Sequence, residues 1–379
     1  MRKTITLLAL LLLAVSQGTF AQTFTGTVYD KATNHPISGV YVSFNGTVAY
    51  TITDNSGKFE LTVAQRLITQ LVFSHISYNM VIIENPFDEF PKEIYMEPRL
   101  NMLDDVTVTA RVRAEYTDPF TRQQKLIAFR DQFLGTTRAG KSCIIMNEDD
   151  LELRYDVQKN ALTVSSDNPI VVFNEYLEYL ISFTLVDFRV EYAVPLTLNY
   201  DYRPVTNATM KDGIPVANAT MRDAIRQRSF DPLSSDNVQR SYYSVMSLFT
   251  DLSPDDIRIK RRRDEVYEQS STFFFKSIAN NTLNESNFRI YGSRRRQVVD
   301  HSLYFTIEDT FSLKRIQLIP DSGSIINVSY RNRHSRLQFN TDALLVDMYG
   351  NIDKFDKVIF TGMMGDARVG DMLPLDYEP

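Results

Sequence analysis

The chain has 379 residues, with 41 basic against 47 acidic side chains and a formal net charge of −6. That balance argues against a nucleic-acid partner, and the length is enough for two or three domains. Cys143 is the only cysteine, so no intramolecular disulfide can form and burial alone must hold the fold.

Residues 1–21 read as a secretory leader. Arg2 and Lys3 precede an apolar run, Ile5 to Val15, broken only by Thr6, and small Thr19 and Ala21 stand before a cut at Gln22. The run falls short of the roughly 20 apolar residues that span a bilayer. No cysteine follows it to carry a lipid, and no later segment is apolar enough for a transmembrane helix. The mature chain, Gln22 onward, is expected to be exported to the periplasm, the outer membrane or the medium.

Seven short alternating runs follow, at Phe24 to Tyr29, Gly39 to Phe44, Thr47 to Thr53, Lys58 to Val63, Leu71 to Ser74, Met80 to Ile83 and Glu93 to Met96. Val40, Val42 and Phe44 share one phase, as do Phe59, Leu61 and Val63. Asp54-Asn-Ser-Gly57 separates two of the runs as a turn in which Gly57 supplies positive φ. Residues 22–97 are therefore expected to form a seven-stranded antiparallel β-sandwich that buries one face of each strand. Residues 98–119 read as a linker with one strand, Val106 to Ala110.

A helix is predicted from Asp118, a candidate cap, and Pro119, through Leu126, Ile127, Phe129, Phe133 and Leu134, to a stop at Gly135. Strands follow at 151–155, 161–165, 170–173 and 180–190, and 192–235 reads as an irregular surface excursion. The acidic start Ser253-Pro-Asp-Asp256 opens a second helix running to about Ala279. Further strands are expected at 288–291, 302–308, 312–319, 325–330, 344–348 and 357–361. Residues 120–379 thus read as one α+β domain, and the whole chain as mainly β.

Several motifs could carry chemistry. Gly135-Thr-Thr-Arg-Ala-Gly140-Lys141-Ser142 satisfies the phosphate-loop pattern, but a helix precedes it and the strand-like Cys143 to Met146 follows, the reverse of a working loop. The histidines, His35, His75, His301 and His334, show no metal-ligand spacing. Cys143 is apolar-flanked and reads as an inert thiol. Glu148-Asp-Asp150 with Glu152 lacks the calcium-loop pattern. Lys260-Arg-Arg-Arg263 and Arg294-Arg-Arg296 are basic clusters. Arg261 to Arg263 are followed by Asp264, Glu265 and Glu268, with Asp264 three residues after Arg261, and Glu265 four after Arg261 and three after Arg262, which predicts a salt-laced helix face. Phe273-Phe-Phe275 reads as core. Asn45, Asn207, Asn218, Asn280, Asn284 and Asn327 open N-x-[ST] triplets, inert in a bacterium.

The sequence Gly26-x-Val-x-Asp30, then Pro36-Ile-x-Gly-Val-x-Val42, then Thr53-Asp-x-x-Gly-x-Phe-x-Leu61, resembles the carboxypeptidase regulatory-like domain, a transthyretin-type sandwich. The resemblance covers about residues 23–97. It implies an exported protein of the kind found in Bacteroidota, and not the separate zinc-peptidase domain, whose H-x-x-E is missing. Leu103 to Ala110 resembles the segment that leads into a TonB-dependent receptor plug. Residues 111–379 are too few for the plug and a 22-stranded barrel at about 10 residues per strand. Phe133-Leu-Gly135, Arg261 to Tyr267 and Asp371 to Tyr377 also resemble stretches of exported Bacteroidota proteins with this first domain.

These readings assign no catalytic, cofactor-binding or metal residue. The expected function is a non-catalytic cell-envelope protein that binds a protein or a glycan. A hydrolase within 120–379 and a structural role in outer-membrane assembly stay open as alternatives.

Overall fold

The computed structural model describes residues 21–99, 118–193, 210–211, 214–215, 232–292, 297–310, 312–319 and 324–379. Nearly all of the leader, the strand at 106–110, Arg294 to Arg296, Asn207, Asn218 and much of 192–235 lie outside the described residues. The contacts group the described residues into two compact units. One comprises those of Met1–Leu103, Leu248–Asp366 and Leu373–Pro379; the other those of Asp104–Ser247 and Ala367–Met372.

The first unit begins with seven strands: β1 (Gln22–Asp30), β2 (Tyr41–Phe44), β3 (Tyr50–Ile52), β4 (Lys58–Val63), β5 (Leu71–His75), β6 (Tyr78–Ile83) and β7 (Glu93–Met96). They form two sheets, β4-β1-β7 and β3-β2-β5-β6. Pairing is antiparallel, except that β7 runs parallel to β1. The chain reaches β7 from the other sheet through residues 84–92 rather than by a hairpin, which frees its direction. The expected phases hold: Val40, Val42, Phe44, Phe59, Leu61 and Val63 all lie in one buried cluster, while Lys58, Glu60 and Thr62 are exposed.

The motif residues hold this sandwich together. Asp30 Oδ1 accepts from the Ala32 and Thr33 amides at 2.7 and 3.0 Å, and Oδ2 accepts from the Tyr78 hydroxyl at 2.9 Å. Thr53 Oγ1 donates to Ile37 O and accepts from Val40 N, at 2.8 and 2.9 Å. Asp54 Oδ1 accepts from the Ser56 and Lys58 amides at 2.8 and 2.9 Å. Gly57 has φ +70, and a Cβ there would stand 2.6 Å from Val28 O. Only glycine fits that turn.

The second unit holds α1 (Arg122–Phe133), α2 (Arg138–Lys141), β8 (Cys143–Ile145), β9 (Leu151–Asp156), β10 (Ala161–Ser166), β11 (Ile170–Asn174), β12 (Tyr179–Tyr192), the short pair β13 (Met210–Lys211) and β14 (Ile214–Pro215), and most of β15 (Val238–Asp251). The strand order is β8-β11-β12-β10-β9, with β15 also pairing β12. Thr121, not Asp118, caps α1. Its hydroxyl accepts from the Gln124 amide, and the Gln124 side chain accepts in return from the Thr121 amide. That reciprocal box satisfies two orphan amides. Asp118 is left to pair with Lys125. Phe129 and Phe133 of α1 then pack edge-on against Phe188 and Phe183 of β12, at 4.8 and 5.5 Å between centroids. Ile127 faces solvent.

The first unit resumes with α3 (Ile257–Tyr267), α4 (Ser271–Ala279), β16 (Phe288–Tyr291), β17 (Val298–Val299), β18 (Phe305–Thr310), β19 (Leu313–Leu318), β20 (Ile325–Tyr330), β21 (Arg333–Phe339), β22 (Ala343–Val346), β23 (Val358–Gly362) and α5 (Met363–Asp366). The sheets are β17-β16-β20-β21-β23 and β18-β19-β22. The single helix expected from Ser253 to Ala279 is two. The Ser270 hydroxyl donates to Tyr267 O at 2.7 Å and accepts from Phe273 N at 3.0 Å, ending α3 and capping α4 in one residue. Phe274, Phe275 and Ile278 of α4 are buried with Ile290, Val328 and Leu337, so the Phe273-Phe-Phe275 run is core as expected.

Candidate binding surface

The phosphate-loop match collapses on geometry. The helix there, α2, has four residues and lies inside the motif, and the strand β8 comes after it instead of before. Thr137 Oγ1 accepts from Gly140 N at 3.0 Å and donates to Asp371 Oδ1 at 2.8 Å. A Cβ on Gly140 would lie 2.5 Å from the Leu134 and Gly135 carbonyls, and one on Gly370 would collide with Gly140 Cα. The loop's glycines therefore admit the chain's own 368–371 segment where a phosphate would have to sit.

The other candidate residues are dispersed or paired. Cys143 donates to Ala139 O at 3.3 Å. Burial, and then the Asp371 charge, pushes its thiol up to about 12, so no thiolate forms at neutral pH. An open cleft of about 360 Å³ beside it is lined by Arg130, Leu134, Lys141, Cys143, Ile145 and Glu148 among others. There Arg130 Nε donates to Glu148 Oε1 at 2.6 Å. Asp150 accepts from Asn147 and Asn168, and Glu152 pairs with Arg154. The histidines stand on four different elements, with His301 Nε2 2.7 Å from Asn281 Oδ1. Among the described residues, no three of His, Cys, Asp and Glu form a group able to hold a metal ion.

On α3 the salt-laced face is real in type, but its partners differ. Lys260 pairs with Asp264. Arg263 turns inward to Asp251, and Glu268 takes Tyr330 and Arg331.

What the sandwich presents outward is a surface rather than a cleft. In the β3-β2-β5-β6 sheet, register places Tyr41 opposite Ile52, Ser43 opposite Tyr50 and Val72, and Val72 opposite Ile82. Inward-facing Val42, Phe44, Leu71 and Phe73 occupy the alternate positions, so exposed Tyr41, Tyr50, Ile52 and Ile82 share the outer phase with Ser43 and Val72, which are buried. Tyr41, Tyr50 and Ile52 are 46%, 45% and 45% exposed. The two tyrosine rings stack at 6.2 Å between centroids, with planes 29° apart. The outer face of the other sheet is mostly polar: Thr23, Thr25, Lys58, Glu60 and Thr62 are exposed there, and Thr23 and Thr62 share a 2.9 Å hydroxyl hydrogen bond. That face also carries one stacked aromatic pair, Tyr29 and the 44% exposed Tyr95, at 5.6 Å between centroids. Sequence reading missed the β3-β2-β5-β6 face because exposed Tyr41 and Ile52 alternate as buried strand residues do.

No helix of the described residues is long and apolar enough to cross a membrane. No curated protein matches the chain. Residues 24–108 match the family model of the CarboxypepD_reg-like domain, and the N-terminal sandwich is a domain of that kind.

Proposed function

We propose that the protein is an exported, non-catalytic component of the cell envelope whose N-terminal sandwich binds a protein or glycan partner. A CarboxypepD_reg-like domain suggests a binding or regulatory module. The observation that carries the reading is the exposed group Tyr41, Tyr50 and Ile52 on the outer face of β3-β2-β5-β6. Exposed apolar residues grouped on one face mark places where something else packs. The stacked Tyr41 and Tyr50 rings offer flat faces with hydroxyl rims, which suit sugar C–H groups or apolar side chains alike. Export rests on the leader pattern of residues 1–21.

Fractionation with N-terminal sequencing and crosslinked capture tests both halves. The expected product starts near Gln22, sits in the envelope fraction or the medium, and is captured with a defined envelope partner. An intact Met1 in the cytosol would end the export reading. Hydrolytic turnover of an envelope polymer by the purified protein would end the non-catalytic one.

A further inference from the structure

Within the first unit, the segment Leu373–Pro379 lies across the turn between β2 and β3. The Leu375 amide donates to Gly46 O at 2.7 Å, and the Val48 amide donates to Asp376 Oδ1 at 3.3 Å. On its other side the segment is tied to the 248–366 part of the same unit. Asn351 Nδ2 donates to Leu375 O at 2.8 Å, and the Tyr377 hydroxyl donates to Asp264 Oδ1 on α3 at 2.7 Å. The Tyr377 ring also meets Tyr267 at 5.7 Å, with Lys260 Nζ 5.9 Å from its centroid. A second tie runs beside it: Asp347 Oδ2 accepts from the Ile68 amide at 3.0 Å, and Tyr349 is buried in the sandwich core.

We propose that Leu373–Pro379 is a strap that locks the β2–β3 turn of the sandwich to residues 248–366. The residues it grips, Gly46 to Val48, lead directly into β3, which carries Tyr50 and Ile52 of the outer face. An event at the strap therefore reaches the exposed face through the shortest strand of its sheet. That last link rests on the proposed function; the strap itself does not.

Geometry supports a strap in preference to an incidental contact. Four hydrogen bonds over Leu375, Asp376 and Tyr377 alternate between the two sides, Leu375 bonding both, Asp376 the sandwich and Tyr377 α3. Burial also pushes the Asp376 carboxyl above the ordinary aspartate range, with the Val48 amide opposing that shift. A side chain held out of water in this way is ordered.

Amide exchange on the full-length mature chain tests this. Asp376→Ala should raise exchange at Val48 and Leu375 by about tenfold or more, because both amides lose a partner or its anchor. Tyr377→Phe should loosen the same two amides by a smaller factor, since it frees only the α3 end. In both variants the β4 amides of Phe59 and Leu61 should keep their protection. Unchanged exchange at Val48 and Leu375 in both variants would overturn the strap. An equal rise in β4 would also overturn it, showing general unfolding instead of a local release. Partner capture plays no part in this readout, so failure of the proposed function leaves it standing.

Discussion

Phe59→Ala is expected to destabilise the sandwich by about 3–5 kcal/mol, the range for removing a buried phenylalanine ring and leaving a cavity. Phe59 is 5% exposed, on the inward phase of β4. Its ring meets Phe73 of β5 edge-on at 5.4 Å and Phe90 of the 84–92 connection at 6.2 Å, so the substitution deletes contacts to the facing sheet and to the loop that covers it. The next residue gives the control. Glu60 lies on the exposed phase opposite Thr25, and Glu60→Ala should change stability by no more than about 0.5 kcal/mol. Thermal unfolding of the mature protein, followed through amides of β1 and β4, separates the two. Equal losses would mean that the strand phase is wrong.

Arg263→Ala should be of similar weight, about 3–5 kcal/mol, for a different reason. The Arg263 guanidinium is 4% exposed and grips Asp251 with two 2.7 Å hydrogen bonds, Nη1 to Oδ2 and Nη2 to Oδ1. Asp251 is 26% exposed, so water can recover part of its solvation and the loss should fall toward the lower end. The remainder comes from the buried stem of Arg263 and the carboxylate left without its fork. Arg263→Lys restores the charge but not the two-pronged geometry, and should recover only part of the stability. A melting temperature for Arg263→Ala equal to wild type would show that the pair contributes nothing net.

Much of the fold was legible because its signals are local. Lys58–Val63 alternates without exception, and Asp54 and Gly57 specify their turn within four residues. What failed to show was either chemically disguised or remote. The strand β15 was missed because Ser241, Tyr242, Tyr243 and Ser244 interrupt its apolar alternation. The strand β21 was missed because Ser335 takes an inward position where an apolar residue is expected. The break between α3 and α4 hides in front of the apolar run Phe273-Phe-Phe275, although Ser270 is a good cap. The phosphate-loop match could be doubted from element order, but its filling by Gly370 joins residues far apart in sequence. The outer face was illegible for a third reason. Alternation distinguishes two faces of a strand, and it does not say which partner, if any, covers the second.

The most direct test of the account is capture of the envelope partner by a Tyr41→Ser, Ile52→Ser double variant of the mature protein. Both side chains are about half exposed, so the melting temperature should stay close to wild type, while partner capture should fall about tenfold or more. Capture undiminished in a variant that melts like wild type would contradict the assignment of this face as the binding surface.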